Sequence, residues 1–148
     1  MEERFQTFTV LISKFSRSIR KIKTEEMAKF DLKSQHVSCL YYLYKMGALT
    51  AKELGDVCEE DKANLSRAIE YLETNGYITC ESKTQKRYKS PLKLTEKGEA
   101  IGKQITARVD HILEEASAGM TEESRAVLYR SLSLISSNLQ KICDQYEE

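Results

Sequence analysis

Residues 48–98 constrain the fold more than any other part of the chain. They read ALTAKELGDVCEEDKANLSRAIEYLETNGYI, then a lysine-rich stretch, then LKLTEKG. Thr50 and Glu53 have the spacing of a capping box, which opens a short helix through about residue 58 with Leu54 and Val57 turned inward. The residues 59–61 form a turn, and Asp61 is a good N-cap for a second helix over 62–75. Leu65, Ala68, Ile69 and Leu72 fall on one face of that helix. Asn75-Gly76 stops it, and the chain then changes to short alternating strands. Two short helices, a tight turn and a hairpin make a helix-turn-helix with a wing.

Charge places any nucleic-acid site locally. The chain has 148 residues, and its 23 Lys and Arg cancel 23 Asp and Glu, so no global field draws it to a polyanion. Residues 81–97 break the balance. Lys83, Lys86, Arg87, Lys89, Lys93 and Lys97 stand there against only Glu81 and Glu96, a local excess of +4. A second run, Lys14, Arg17, Arg20, Lys21 and Lys23, reads most simply as the polar side of a helix. An anionic ligand site or phosphate contact is its other reading.

Outside this segment the pattern is helical. Phe5, Phe8, Ile12, Phe15, Ile19 and Ile22 make one stripe on a helix over about 3–29. Leu128, Leu132, Ile135, Leu139, Ile142 and Tyr146 make another on a final helix opened by Thr121. A helix over 34–46, capped by Ser34 and stopped by Gly47, turns Val37, Leu40, Tyr41 and Tyr44 inward. Another spans about 95–117 and ends before Gly119. The expected fold is mainly α with a small β wing: a winged helix-turn-helix lobe over 34–97, flanked by long dimerisation helices over 1–30 and 98–148, in one domain.

The exposed set on the second helix of the motif carries the chemistry. Asn64 matches the two hydrogen-bonding positions of adenine, Arg67 those of guanine, and Ser66 suits bases or phosphate. Lys62 begins the same helix, and Lys86, Arg87 and Lys89 form a cationic wing tip suited to phosphates or a narrow minor groove. Pro91 has no amide donor, which marks its strand as an edge. The expected partner is double-stranded DNA.

The order of these elements, the segment DKANLSRAIEYLETNGYI and the closing LTEKG resemble the MarR family of transcriptional regulators over essentially the whole chain. That resemblance implies a homodimer on pseudo-palindromic DNA, usually a repressor released by a small ligand or an oxidant. It also implies an effector pocket where the terminal helices meet the DNA-binding lobe, lined here by Phe15, Ile19, Tyr41 and Tyr44, with Arg20 or His36. The family's wing commonly carries an Asp-x-Arg element before the LT. This chain has KRYKSPLKLT there, and Arg87 is the nearest counterpart of the wing arginine.

Other classes fare worse. No G-x-S-x-G, H-E-x-x-H or phosphate-binding glycine loop is present, so catalysis is not expected. Cys39, Cys58, Cys80 and Cys143 lack metal-ligand spacing, and neither a metal nor a cofactor is expected. Relatives that sense oxidants through a first-helix cysteine differ from this chain, whose residues 1–38 contain none. A buried inert thiol is the default for each cysteine; as a redox sensor, Cys58 has the better leverage, beside the recognition helix. A winged helix serving only protein interaction remains an alternative, though it needs neither a basic wing nor a polar recognition face. No signal-peptide or membrane-spanning run is seen, and a cytoplasmic location is expected.

Overall fold

The computed structural model describes residues 2–81 and 89–147. The elements run α1 (Glu2–Phe5), a π-helical segment (Gln6–Leu11), α2 (Ile12–Ala28), α3 (His36–Met46), α4 (Ala51–Val57) and α5 (Lys62–Thr74). They continue with β1 (Ile78–Cys80), β2 (Leu92–Leu94), α6 (Glu96–Ala116) and α7 (Glu122–Asp144). Two compact units result, Met1–Arg108 and Val109–Glu148. Among the described residues no helix is long and apolar enough to cross a membrane.

In the first unit the core lies among α3, α4, α5 and the strands. Leu40, Leu54, Leu72, Ile78 and Ile105 are its largest fully buried aliphatic side chains. The strands pair antiparallel in the register Ile78↔Leu94, Thr79↔Lys93 and Cys80↔Leu92, so Ile78 and Leu92 turn inward and Thr79 and Lys93 outward. The capping box forms as its sequence predicts: the Glu53 amide donates to Thr50 Oγ1 at 3.1 Å, and the Thr50 amide donates to Glu53 Oε2 at 2.8 Å.

Three local expectations are corrected. The N-terminal helix is not uniformly α: none of residues Gln6–Leu11 is buried, so no packing contact enforces the α repeat, and the wider π turn forms instead. Ser34 does not cap α3. That helix starts at His36 after a turn in which the His36 and Val37 amides donate to the Lys33 and Ser34 carbonyls. The β2 strand is not an edge at Leu92, which exchanges both backbone hydrogen bonds with Leu49, at 3.2 and 2.7 Å. Pro91 stands one residue outside the strand and costs it no ladder bond.

The LTEKG segment fixes how α6 leaves the sheet. Thr95 Oγ1 accepts from the Gly98 amide at 3.0 Å and donates to the Gly76 carbonyl at 2.6 Å. A Cβ on Gly98 would lie 1.9 Å from the Tyr77 carbonyl oxygen, so only glycine fits there. In the second unit Gly119, at φ +89, ends the turn after α6. Thr121 then caps α7 by accepting the Ser124 amide at 3.1 Å. Arg125 pairs with Glu114 across that turn at 3.2 Å.

Candidate nucleic-acid interface

The helix expected to read DNA is α5, and both its ends are fixed. Asp61 Oδ1 accepts the Asn64 amide at 2.7 Å, satisfying an otherwise orphaned N-terminal donor. At the other end Gly76, at φ +78, reverses the chain, and the Tyr77 amide donates back to the Leu72 carbonyl at 2.8 Å. Leu65, Ala68 and Leu72 are buried and Ile69 half-buried, as the sequence pattern requires. The opposite face is left to solvent.

On that face Lys62, Ser66 and Arg67 are exposed. Asn64 is half-buried: its Nδ2 donates to Asp61 Oδ2 at 3.3 Å, and its Oδ1 accepts from Arg67 Nη2. Asp61, Asn64 and Arg67 thus form a hydrogen-bonded row along the first two turns. Either side chain must exchange a partner in this row before it can meet a base. Two exposed residues were missed by sequence reading, Ala63 and Glu70. At 100° per residue, Ala63 sits between Lys62, Ser66 and Arg67, and its methyl matches the apolar contact made to a thymine methyl. An alanine gives no polar signal in a sequence, which is why it was passed over.

The described residues cover only part of the expected wing charge. Lys86 and Arg87 lie outside the described residues, while Lys89 is described and exposed. Lys93 forms an ion pair with Glu81 across the hairpin. Lys97 donates to the Asn75 carbonyl at 2.9 Å and lies 4.2 Å from the centre of the Tyr77 ring. Two of the six cations in that stretch therefore serve the fold. Glu81 lies in the stretch itself and Asn75 and Tyr77 just before it, but the pairings follow from the hairpin, which composition alone cannot reveal.

Of the expected pocket residues the structure brings some together. Phe15, Ile19 and Arg20 on α2 line one groove of about 900 Å³ with Lys23, Gln35, Glu59 and Asn64. Tyr41 and Tyr44 are half-buried on α3 and do not line it, and neither does His36. His36 is fully buried, its ring stacked on Tyr71 at 4.6 Å and its Nδ1 accepting the Lys33 amide at 2.9 Å. Burial, aided by the Lys33 charge, pushes this imidazole down to about 4. Glu59, which the sequence marks only as turn, ties the groove together. Its carboxylate accepts both contacts of the buried Ser38 hydroxyl, at 2.8 and 2.7 Å, and pairs with Lys23. Burial lowers the Lys23 ammonium from its ordinary value, against the opposing pull of Glu60.

Comparison with known proteins agrees with this geometry. A model of the MarR family matches residues 30–87. The chain is 29% identical over 114 residues to the HTH-type transcriptional regulator YwoH of Bacillus subtilis (strain 168), covering 77% of this chain and 82% of that one. It is 24% identical to the HTH-type transcriptional regulator YybA of the same organism over 130 residues, 88% of this chain and 87% of that one. Among solved structures, a MarR family regulator from Listeria monocytogenes complexed with 26mer DNA is similar at TM-score 0.75 and 25% identity, over 86% and 85% of the two chains. NMB1585 of Neisseria meningitidis, also a MarR family regulator, shares the fold at TM-score 0.80 and 20% identity over 96% and 97%. The DNA complex of MepR from S. aureus shares it at TM-score 0.77 and 19% identity over 90% and 97%.

Proposed function

We propose that the chain is a MarR-family transcriptional regulator that binds a pseudo-palindromic operator as a homodimer and represses transcription until a small ligand releases it. One observation carries the DNA reading. The first half of α5 presents Lys62, Ala63, Ser66 and Arg67 to solvent, while the helix is held by a buried face and by caps at both ends. A rigid helix entering the major groove N-terminus first needs this arrangement. The similar MarR family regulator from Listeria monocytogenes is complexed with a 26mer DNA, which supports this reading.

Ligand release rests on the groove along α2. It is walled by Phe15 and Ile19, edged by the cations Arg20 and Lys23, and closed by Asn64 of the recognition helix. An amphipathic anion seated there touches the reading helix directly. Such a ligand need only compete for Asn64 to alter the row that holds Arg67.

Fluorescence anisotropy on the duplex upstream of the chain's own coding sequence tests the DNA reading. Each neutralised phosphate adds about −0.9 to the slope of log affinity against log salt, so three or four contacts per protomer give a slope of roughly −5 to −7. Removing Lys86, Arg87 and Lys89 together should make the slope shallower by several units. An unchanged slope would overturn the role given to the wing.

A further inference from the structure

The recognition motif and α3 hold two thiols against each other. Cys39 is fully buried on α3, and Cys58 is half-buried at the end of α4. Their side chains are hydrogen-bonded to one another. One residue before Cys39 and one residue after Cys58, the Ser38 hydroxyl donates to the Glu59 carboxylate at 2.8 and 2.7 Å and ties the same two segments together. Lys23 reaches the site from α2, paired with Glu59, so the thiol pair has a cation beside it. The other two cysteines are elsewhere: Cys80 lines a different groove with Leu92, and Cys143 is exposed in the second unit.

The environment divides the pair into a nucleophile and a resolving thiol. The Cys39 hydrogen bond, with help from Lys23, holds the Cys58 thiol below its ordinary value, against burial and the Glu60 charge. That same hydrogen bond, together with burial, holds the Cys39 thiol protonated. The accessible sulfur is therefore the reactive one, and the buried sulfur can only follow.

We propose that Cys39 and Cys58 are a modification site: a peroxide converts them to a reversible intrachain disulfide that weakens DNA binding. The Cys58 thiolate attacks one oxygen of the peroxide; the O–O bond breaks, an S–O bond forms, and the departing hydroxide or alkoxide takes a proton. The Cys39 sulfur then attacks the sulfenic sulfur. The S–S bond forms, the S–O bond breaks, and the leaving hydroxide takes the Cys39 proton as water. Two thiols lose two electrons and one O–O bond gains them. Closing the pair to a bonded separation of about 2.0 Å draws the end of α4 toward α3. Cys58 lies just before Asp61, the cap that sets the start of α5. This last consequence rests on the DNA reading above; the chemistry does not.

The test uses the full chain with Cys80→Ser and Cys143→Ser, treated with hydrogen peroxide and followed by thiol titration, peptide mass mapping and DNA anisotropy. The expected result is loss of both free thiols, a mass lower by about 2 Da, a Cys39–Cys58 peptide link, and full recovery with dithiothreitol. DNA affinity should fall at least tenfold on oxidation and return on reduction. The Cys39→Ser derivative should form no link and should gain oxygen at Cys58 instead. Failure to form the link, or a sulfinic acid at Cys58 with Cys39 intact, overturns the proposal. A disulfide that forms while affinity stays the same overturns the switching step. A disulfide that forms in a chain whose reduced form never binds DNA leaves the thiol site standing and defeats the DNA reading.

Discussion

His36 shows how much one buried side chain can hold in this fold. Its Nδ1 secures the turn before α3, and its ring covers Tyr71, whose hydroxyl donates to the Asp31 carbonyl at 3.2 Å. The folded imidazole titrates at about 4 against an ordinary 6.5, so between those values the unfolded chain binds the extra proton. Stability from this group is therefore fully present above about pH 6.5 and is lost as pH falls toward 4. The loss should reach up to about 3 kcal/mol. Urea unfolding at pH 7 and pH 5 should show it, and His36→Asn, which keeps an acceptor but cannot titrate, should flatten that pH dependence. Equal pH dependence in both chains would refute the assignment. The family resemblance implies His36 as a pocket residue; only the tertiary contact with Tyr71, on another helix, reveals a core role. Gly98 was equally opaque. LTEKG is visible as a pattern, but the Tyr77 carbonyl that excludes a side chain is not. Gly98→Ala should destabilise the fold by about 1–3 kcal/mol by overpacking, read as a lower midpoint in denaturant with an unchanged slope.

At the scale of elements, what could be read from sequence was what is decided locally. The Thr50 and Asp61 caps lie within three residues of the amides they satisfy, and both form as expected. The place of β2 and the duty of Lys97 depend on Leu49, Asn75 and Tyr77, far away in sequence, whereas α3 starts after a local turn at Lys33 and Ser34 that the Ser34 cap does not anticipate. The same division governs what substitutions on α5 should do. Asp61→Ala removes the cap and one anchor of the Asn64–Arg67 row, and should cost about 0.5–2 kcal/mol of stability. Arg67→Ala and Asn64→Ala should relax sequence preference, because base-edge pairs discriminate by about 1–3 kcal/mol each. Lys86→Ala and Arg87→Ala should instead weaken binding to all duplexes alike, because phosphate contacts carry no sequence information. Affinities for the operator and for a scrambled duplex separate the two outcomes. Wing substitutions that changed preference, with helix substitutions that did not, would invert the assignment.

For the whole molecule the telling feature is apolar surface left uncovered. Phe5, Phe8, Phe15 and Ile19 are 66, 46, 55 and 53% exposed along the N-terminal helices. Leu128, Leu132, Leu139 and Ile142 are 39, 42, 52 and 48% exposed along α7, none of whose residues is buried. Scattered apolar side chains on a surface need no explanation, but two stripes at regular helical spacing form contiguous patches of the kind that mark an interface. Burying them at about 25 cal/mol per Å² drives association, and a two-fold assembly covers the same patch on both copies. Such a dimer also presents two α5 helices, as a pseudo-palindrome demands. Leu132→Lys with Leu139→Lys puts like charges at the proposed self-complementary seam, and should convert the proposed dimer to monomer at micromolar concentration. Neither leucine belongs to the first compact unit, so that lobe should keep its fold and its far-ultraviolet signature. DNA affinity should nevertheless fall by orders of magnitude, because each lobe then binds one half-site without the effective concentration that linkage supplies. Sedimentation and anisotropy on the same samples decide the matter. A native chain that sediments as a monomer while holding its operator tightly would remove the dimer from the mechanism.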